Sequence, residues 1–563
     1  MQLASRFELQ DSIERKCQAP KTTKKQPVTR EKGERPMRLQ YSVFAALCAA
    51  VALASATADA QTPKRGGILK FAVSAEPPNY DCHAATSFAF IHPVRPHYNT
   101  LLKFDEPNYP KVKGDLAQSW TVSPDGLTYT FKLKPNIKFH DGTPMTSADV
   151  KASYERISNP TGGAVSIRQA AYSDIGSIET PDAQTVVFKL KARNASMLTN
   201  FASPWDCIYS AAKIKADPKF PEKNVLGTGP FKFVEHASGS HWVGERFADY
   251  FEKGKPYLDG FRAIFITNAA ASVNALQAGE VLAEFRGLSP ADRDKLKAAL
   301  GDKIVVHESP WICSLVVTFN TEKKPFDDVR VRQALSLAID RWKGAEALSK
   351  IALVRHVGGT LRPGYEFAAK EAELVKYPGW GKDINKNRAE AKKLLEQAGI
   401  KDLKIKLLNR NVPMPYTPVG IFLIDQWRQI GVTVEHDQPE TRAYIANLRG
   451  GNYEAGLDFN CDAVDDPNLQ LAKFISADKS PINYGRYNDR KLDDLYEKQN
   501  RELDNKKRYE LIRQFEQHAL NEAYSIPIVW WHRIIITWKQ IKGWYMSPSH
   551  YLNQDLQDVW LDS

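Results

Sequence analysis

The sequence predicts an α/β protein of two or three domains. Its 563 residues exceed what one hydrophobic core organises. Period-two and 3.6-residue apolar patterns are intermixed along the chain rather than segregated. Hydrophobic residues make up 43% and charged residues 25%, the balance of a globular protein. A mean hydropathy of −0.44 and a single long apolar run, Val43–Ala56, exclude a multi-span membrane protein. The net charge of +11 is spread along the chain and forms no basic stripe of the kind nucleic acids require, so no nucleic-acid partner is expected.

The first sixty residues are read as lying outside the fold. From Met37, a basic Arg38, the apolar Val43–Ala56 and Ala58-Asp59-Ala60 form the three parts of a secretory signal peptide over 37–60, cleaved after Ala60. Cys48 sits in mid-core behind the bulky Leu47, which excludes lipoprotein processing. The polar residues 1–36 precede this signal and are read as an upstream mis-start, with synthesis beginning at Met37. Residues 1–60 carry ten basic and six acidic groups, so the exported chain keeps 67 basic and 60 acidic groups, a net charge of +7.

Cys82, Cys207, Cys313 and Cys461 remain after cleavage. An even count in an exported chain fits two disulfides, with three connectivities open. The absence of any C-x-x-C argues against a zinc ribbon or a thioredoxin-type site.

Within the exported chain, Ser123-Pro-Asp-Gly126 is a turn, and Tyr129, Phe131 and Leu133 then alternate as in a half-buried strand. The pattern recurs over 179–191, identical at seven of thirteen positions with 122–134, which predicts two similar hairpins in one sheet. Thr146-Ser-Ala-Asp149 is a capping box opening a helix with Val150, Tyr154 and Ile157 on one face. Asp327 or Asp328 caps a helix striped by Val331, Ala334, Leu335, Ala338 and Ile339. Ala391, Leu394, Leu395 and Ala398 stripe another, ended by Gly399. Gly227-Thr-Gly-Pro230 predicts a tight turn at a lobe boundary.

Catalytic patterns are missing. No H-E-x-x-H, G-x-S-x-G or phosphate-loop motif occurs, so no catalytic residue, metal site or cofactor is assigned and an enzyme is not expected. His92 and His97 flank two prolines and are expected to be solvent-facing loop side chains. His83, His92, His97 and His532 are the histidines a cleft could use.

The motifs Gly114-Asp-Leu-Ala-Gln-Ser-Trp120, Phe139-His-Asp-Gly-Thr-Pro144, Gly227-Thr-Gly-Pro-Phe231, Phe319-Asn320, Pro325-Phe-Asp-Asp-Val-Arg-Val-Arg-Gln-Ala334, Ala391-Lys-Lys-Leu-Leu-Glu-Gln-Ala-Gly399 and Tyr487-Asn-Asp489 through Ile526-Pro-Ile528 follow one another in a fixed order. Together they resemble the family 5 extracellular solute-binding proteins, receptors of peptide and nickel ABC importers. Leu282, in Gln277-Ala-Gly-Glu-Val-Leu282, departs from the family's usual Asp.

The resemblance implies a three-lobed periplasmic binding protein of type II-like build. Lobe I would span 61–95, 222–318 and 527–563, lobe II 96–221 and lobe III 319–526, with ligand between lobes I and III. It implies a monomeric, non-enzymatic periplasmic receptor. Its partners would be a small peptide or peptide-like solute and an inner-membrane ABC permease, with a nickel, haem or opine-like conjugate receptor as the alternative.

Relatives hold the ligand's amino group on a carboxylate four residues before a proline. Here that position falls on Ala463, with Asp462 one place earlier, in Phe459-Asn-Cys-Asp-Ala-Val-Asp-Asp-Pro467. The arginine that binds a dipeptide carboxylate falls on Met414. Tyr416 matches, and Arg410 is the nearby substitute. Trp311 and Phe88 align with ligand-facing aromatics, and Cys313 with a cysteine that pairs with the equivalent of Cys461. Cys82 and Cys207 are then left for each other. Thr318 stands where oligopeptide-binding relatives carry an acid. With these anchors absent or displaced, the resemblance favours a modified peptide or an opine-like conjugate over a plain dipeptide.

Overall fold

The computed structural model describes residues 62–562 apart from Pro78, Thr86 and Pro413. The signal segment 37–60 and the upstream stretch 1–36 lie outside the described residues.

Strand β1 (Ile68–Val73) opens the described chain, and β2 (Leu102–Phe104) pairs with β3 (Val112–Gly114). Strands β4 (Ala117–Val122), β5 (Thr128–Leu133), β6 (Ile175–Asp182) and β7 (Thr185–Leu190) form a separate antiparallel sheet in the order β4-β5-β7-β6. The two recurring turn-and-strand segments therefore share one sheet, with β5 and β7 as its centre. Phe131 and Val186 are opposed across it, and both turn their apolar side chains into one core, as alternation requires.

The main sheet collects β8 (Phe231–Ala237), β9 (His241–Arg246), β10 (Gly260–Phe265), β11 (Ala283–Glu284), β12 (Ile304–Phe319), β13 (Val354–His356), β14 (Lys404–Leu408), β15 (Thr433–Asp437), β16 (Ala455–Cys461) and β17 (Ser525–Trp538) with β1. Its order is β15-β14-β16-β12-β17-β11-β1-β10-β9-β8, and β13 pairs with β17. A short β18 (Ile541–Lys542) pairs with β19 (Trp560–Leu561). β12 and β17 are the long central strands, antiparallel to each other from Ile304↔Trp538 to Thr318↔Ser525. The run Ser525-Ile-Pro-Ile-Val-Trp-Trp-His-Arg-Ile-Ile-Ile is buried on both faces, which is why it shows no period-two alternation of apolar and polar residues.

The helices follow their caps. Thr146 and Asp149 close a capping box on Ser147–Ser158. The Asp328 carboxylate accepts the Arg330 N–H at the start of Val329–Leu337. Gly399 follows Ile384–Gln397 at φ +74°, in the left-handed region.

Three principal cores separate along the sheets. Leu69, Phe71, Phe231, Trp242 and Phe261 lead one, Phe131, Tyr154, Phe188 and Phe201 a second, and Leu315, Val317, Leu335 and Trp427 a third. Residues 205–209 bridge the first two with period two: Trp205, Cys207 and Tyr209 enter the first core and Ile208 the second. Leu282, the departure from the family pattern, packs on the first core.

Gly227 and Gly229 lead into a bend at 229–230, with a positive φ at neither. They lie flat against Pro96–Tyr98, where an added Cβ would overlap the His97 carbonyl group, and the Gly229 N–H donates to the His97 carbonyl at 3.0 Å. His92 and His97 are not solvent-facing: both are fully buried. His92 Nε2 bonds the His550 carbonyl at 2.8 Å, and His97 Nδ1 the Phe231 carbonyl at 2.8 Å. Burial holds both imidazoles neutral, with pKa values down to about 3.

Candidate functional site

The register of β12 on β17 breaks between Pro310 and Ser314, and here β16 reaches its end with Cys461 opposite Cys313. Such irregularities re-aim side chains at sites. The two cysteines are joined by a disulfide, as are Cys82 and Cys207, whose Cα atoms lie 6.0 Å apart.

Trp311 sits in the break. Its indole N–H donates to His550 Nδ1 at 2.9 Å, and its ring meets Trp531 edge-on at 5.3 Å. It is 3% exposed and belongs to the third core, so in this structure it packs as a core side chain.

From Trp311 the rings continue in two directions. Trp531 lies 6.2 Å from Tyr416, the first residue of the helix Tyr416–Arg428 that crosses between the parallel strands β14 and β15. The Arg410 guanidinium lies 5.4 Å from the Tyr416 ring, while its Nε donates to Thr441 Oγ1 at 3.1 Å. In the other direction His550 is 6.5 Å from Phe88, at the start of the helix Phe88–Val94, and the Arg286 guanidinium covers Phe88 at 4.4 Å. The structure thus links Phe88, Trp311, Tyr416 and Arg410 in one wall.

Asp462 follows β16 directly, its N–H donating to the Ile312 carbonyl at 3.2 Å. It lines a cavity of about 240 Å³ with Arg168, Trp205, Ala463 and Tyr551. Tyr551 stacks 3.8 Å from His550, which ties this cavity to the aromatic wall. Asp462 Oδ2 is buried without a hydrogen-bond partner. Burial, followed by the negative charges of Asp466 and Asp465, pushes its carboxyl up to about 7, against the pull of Lys473.

Beneath the wall, Asp458 and Lys473 form a buried ion pair, and Thr318 Oγ1 is 3.5 Å from the same Asp458 oxygen. A carboxylate therefore stands beside Thr318 after all, supplied by the next strand and already neutralised.

His532 lies apart from this wall: its Nε2 meets Glu308 at 2.8 Å and its Nδ1 His356 at 3.0 Å. His83 Nε2 bonds the Cys207 carbonyl at 3.0 Å in the first core. No group of three or more His, Cys, Asp or Glu side chains fit to hold a metal occurs among the described residues. No helix among them is long and apolar enough to cross a membrane.

Sequence reasoning missed Arg286, Trp531, His550 and Tyr551. The adjacent rings of Trp530-Trp531-His532 in a buried strand were the one local signal; Arg286 and the 550–551 pair carry none.

The model of the bacterial extracellular solute-binding proteins, family 5, matches residues 111–480. The glutathione-binding protein GsiB of Pectobacterium atrosepticum is 31% identical over 367 residues, 64% of this chain and 67% of that protein. The di/tripeptide-binding protein 1 of Pseudomonas aeruginosa is 29% identical over 459 residues, 77% of this chain and 82% of that one. Among solved structures, AgaA of A. tumefaciens in complex with agropinic acid superposes with a TM-score of 0.73 at 26% identity, covering 88% of this chain and 99% of its own. Helicobacter pylori DppA in complex with the peptide STSA superposes at 0.74 and 24% identity, over 89% and 99%, and shows the shared mixed α/β fold.

Proposed function

The chain belongs to the bacterial extracellular solute-binding proteins, family 5, a non-enzymatic family, and on that premise we propose that it is the periplasmic receptor of an ABC importer for a small peptide-like solute. The observation that carries the ligand class is Asp462: a carboxylate with one unpartnered buried oxygen, lining a cavity joined to an aromatic wall. A buried acceptor left without a donor costs roughly 1–3 kcal/mol, and a ligand ammonium group removes that cost.

Relatives that bind glutathione, di- and tripeptides and the peptide STSA support the same class, namely amino-bearing compounds of peptide size. In this reading the chain divides into lobe I (61–95, 222–318, 527–563), lobe II (96–221) and lobe III (319–526), with the third core running across the lobe I–III boundary through Leu315, Val317 and Trp531. β12 and β17 connect lobes I and III and act as the hinge. The solute binds where they meet, and closure over it is what an inner-membrane permease reads, because the ligand favours the closed state. The receptor acts as a monomer and needs no cofactor.

A thermal-shift screen tests this. Unfolding and refolding strips any carried ligand, and the protein is then offered di- to pentapeptides, glutathione, opine-type conjugates and nickel. A solute at about a hundredfold over its Kd adds roughly 2.7 kcal/mol and raises the midpoint visibly. A rise with amino-bearing solutes supports the proposal; a rise with nickel alone rejects the ligand class.

A further inference from the structure

Resting on that receptor reading, we propose that Arg168 is the residue that receives the solute's carboxylate, while Asp462 holds its ammonium group. The juxtaposition behind this is one cavity of about 240 Å³ lined by both side chains, an acceptor without a donor and an arginine with donors to spare.

Arg168 lies in the loop after the helix Ser147–Ser158, and its guanidinium stands 4.6 Å over the ring of Trp205, which lines the same cavity. Its Nη1 donates to the Cys82 and His83 carbonyls, both at 3.3 Å, and its Nη2 to the Ala85 carbonyl at 2.7 Å. The Cys82–Cys207 disulfide fixes that segment, so the guanidinium is braced in position. A guanidinium carries five N–H donors, and these three bonds leave two, one of them on Nε. Among the described residues Arg168 makes no ion pair. Asp81 is held by Arg156, and Asp206 by the Tyr172 hydroxyl.

Two other buried arginines without ion pairs show the contrast. Arg341 and Arg533 each make four hydrogen bonds to protein groups, and neither lines this cavity. Arg410, the substitute expected from sequence, gives its Nε to Thr441 and does not line it either. Asp462 Oδ2 has no donor, and no ion pair joins Asp462 to Arg168, so both remain open to a ligand. An unpaired cation becomes costly as closure removes water from it, and a carboxylate on its two free N–H groups removes that cost. Arg168 belongs to lobe II and Asp462 to lobe III in the proposed division. A solute held at both charges therefore bridges those lobes and favours the arrangement that brings them together.

Calorimetry on the stripped protein tests this with alanylalanine and trialanine, each against its C-terminal amide. The wild type is expected to bind each acid about tenfold or more tightly than its amide. Arg168→Gln is expected to bring that ratio to about one, and Arg168→Lys, which keeps the charge but not the planar fork, to retain only part of it. Lys189→Gln removes a surface charge of the same lobe, paired with Glu179, and is expected to leave the ratio at its wild-type value. Unliganded thermal midpoints show which variants fold, and Arg168→Lys decides the matter where Arg168→Gln does not fold. A bracing role alone would lower the midpoint and leave the acid-to-amide ratio untouched. If the wild type binds acid and amide equally, or the full ratio survives in a folded Arg168 variant, the Arg168 inference fails while the receptor reading stands. If none of the four compounds binds, both fail.

Discussion

Trp311 and His550, 239 residues apart, are joined by an indole N–H to Nδ1 hydrogen bond of 2.9 Å, and the aromatic wall branches from that pair. His550 is held neutral by burial and by the nearby positive charges of Arg533 and Arg286, which leaves Nδ1 free to accept. Trp311→Phe removes the donor but keeps most of the volume, leaving a buried acceptor unpaired. It is expected to cost about 1–3 kcal/mol of unliganded stability. Trp311→Ala also empties the packing space against Trp531 and is expected to cost about 3–5 kcal/mol. Urea unfolding of the unliganded protein checks both. Wild-type stability in Trp311→Ala would show that the ring packs on nothing.

The buried Lys473–Asp458 pair predicts a strongly non-additive cycle. Lys473→Met strands the Asp458 carboxylate and is expected to cost about 3–5 kcal/mol, whereas adding Asp458→Leu recovers most of that loss. Chemical denaturation of the single and double variants measures the coupling.

Asp462 predicts a pH dependence with a definite sign. Its folded pKa of about 7 lies above its ordinary value of 3.8, so the native state keeps a proton that the unfolded chain releases. The stability associated with this group is fully present below about pH 4 and is lost as pH rises through about 7. Asp206, also held up to about 7 by burial, acts in the same window, so Asp462→Asn is expected to flatten the stability–pH slope between pH 4 and 7 only in part. Denaturant midpoints across that range read it. An ammonium ligand reverses the preference at Asp462: affinity is expected to rise from pH 5 to 7 with release of a proton, visible as a dependence of binding enthalpy on the buffer.

The disulfides predict a loss on reduction. Cys82–Cys207 closes 125 residues and Cys313–Cys461 closes 148. Removing either pair is expected to cost about 2–5 kcal/mol. Mass mapping of an unreduced digest should return those two cross-links, and paired Cys→Ala variants should give the energies.

Much of the fold is legible because its signals are local. The Pro-Asp-Gly turn, the Thr146–Asp149 box and the Asp328 cap each act within a few residues, and the structure places each as its chemistry demands. The family resemblance led to Trp311, Tyr416 and Phe88, with Arg410 as a nearby substitute, and ring contacts through Trp531 and His550 connect these four side chains. What stayed hidden depends on contacts across hundreds of residues. Nothing around Arg286 or His550 in sequence announces Phe88 or Trp311. His92 and His97 looked like loop residues because they flank two prolines, yet carbonyl groups 458 and 134 residues away hold one nitrogen of each. The glycines of 227–230 signalled a turn, but nothing near them in sequence shows the close approach to Pro96–Tyr98, about 130 residues earlier, that also requires them.

The most direct test of the account is the affinity of one amino-bearing ligand with and without its charge. A γ-glutamyl dipeptide and its N-acetyl derivative would be titrated by calorimetry into the stripped protein at pH 7. The account predicts that acetylation weakens binding about tenfold or more, because a charge-assisted bond to Asp462 worth about 1.5–3 kcal/mol is lost. Equal affinity for the two, or no binding by either, would contradict it.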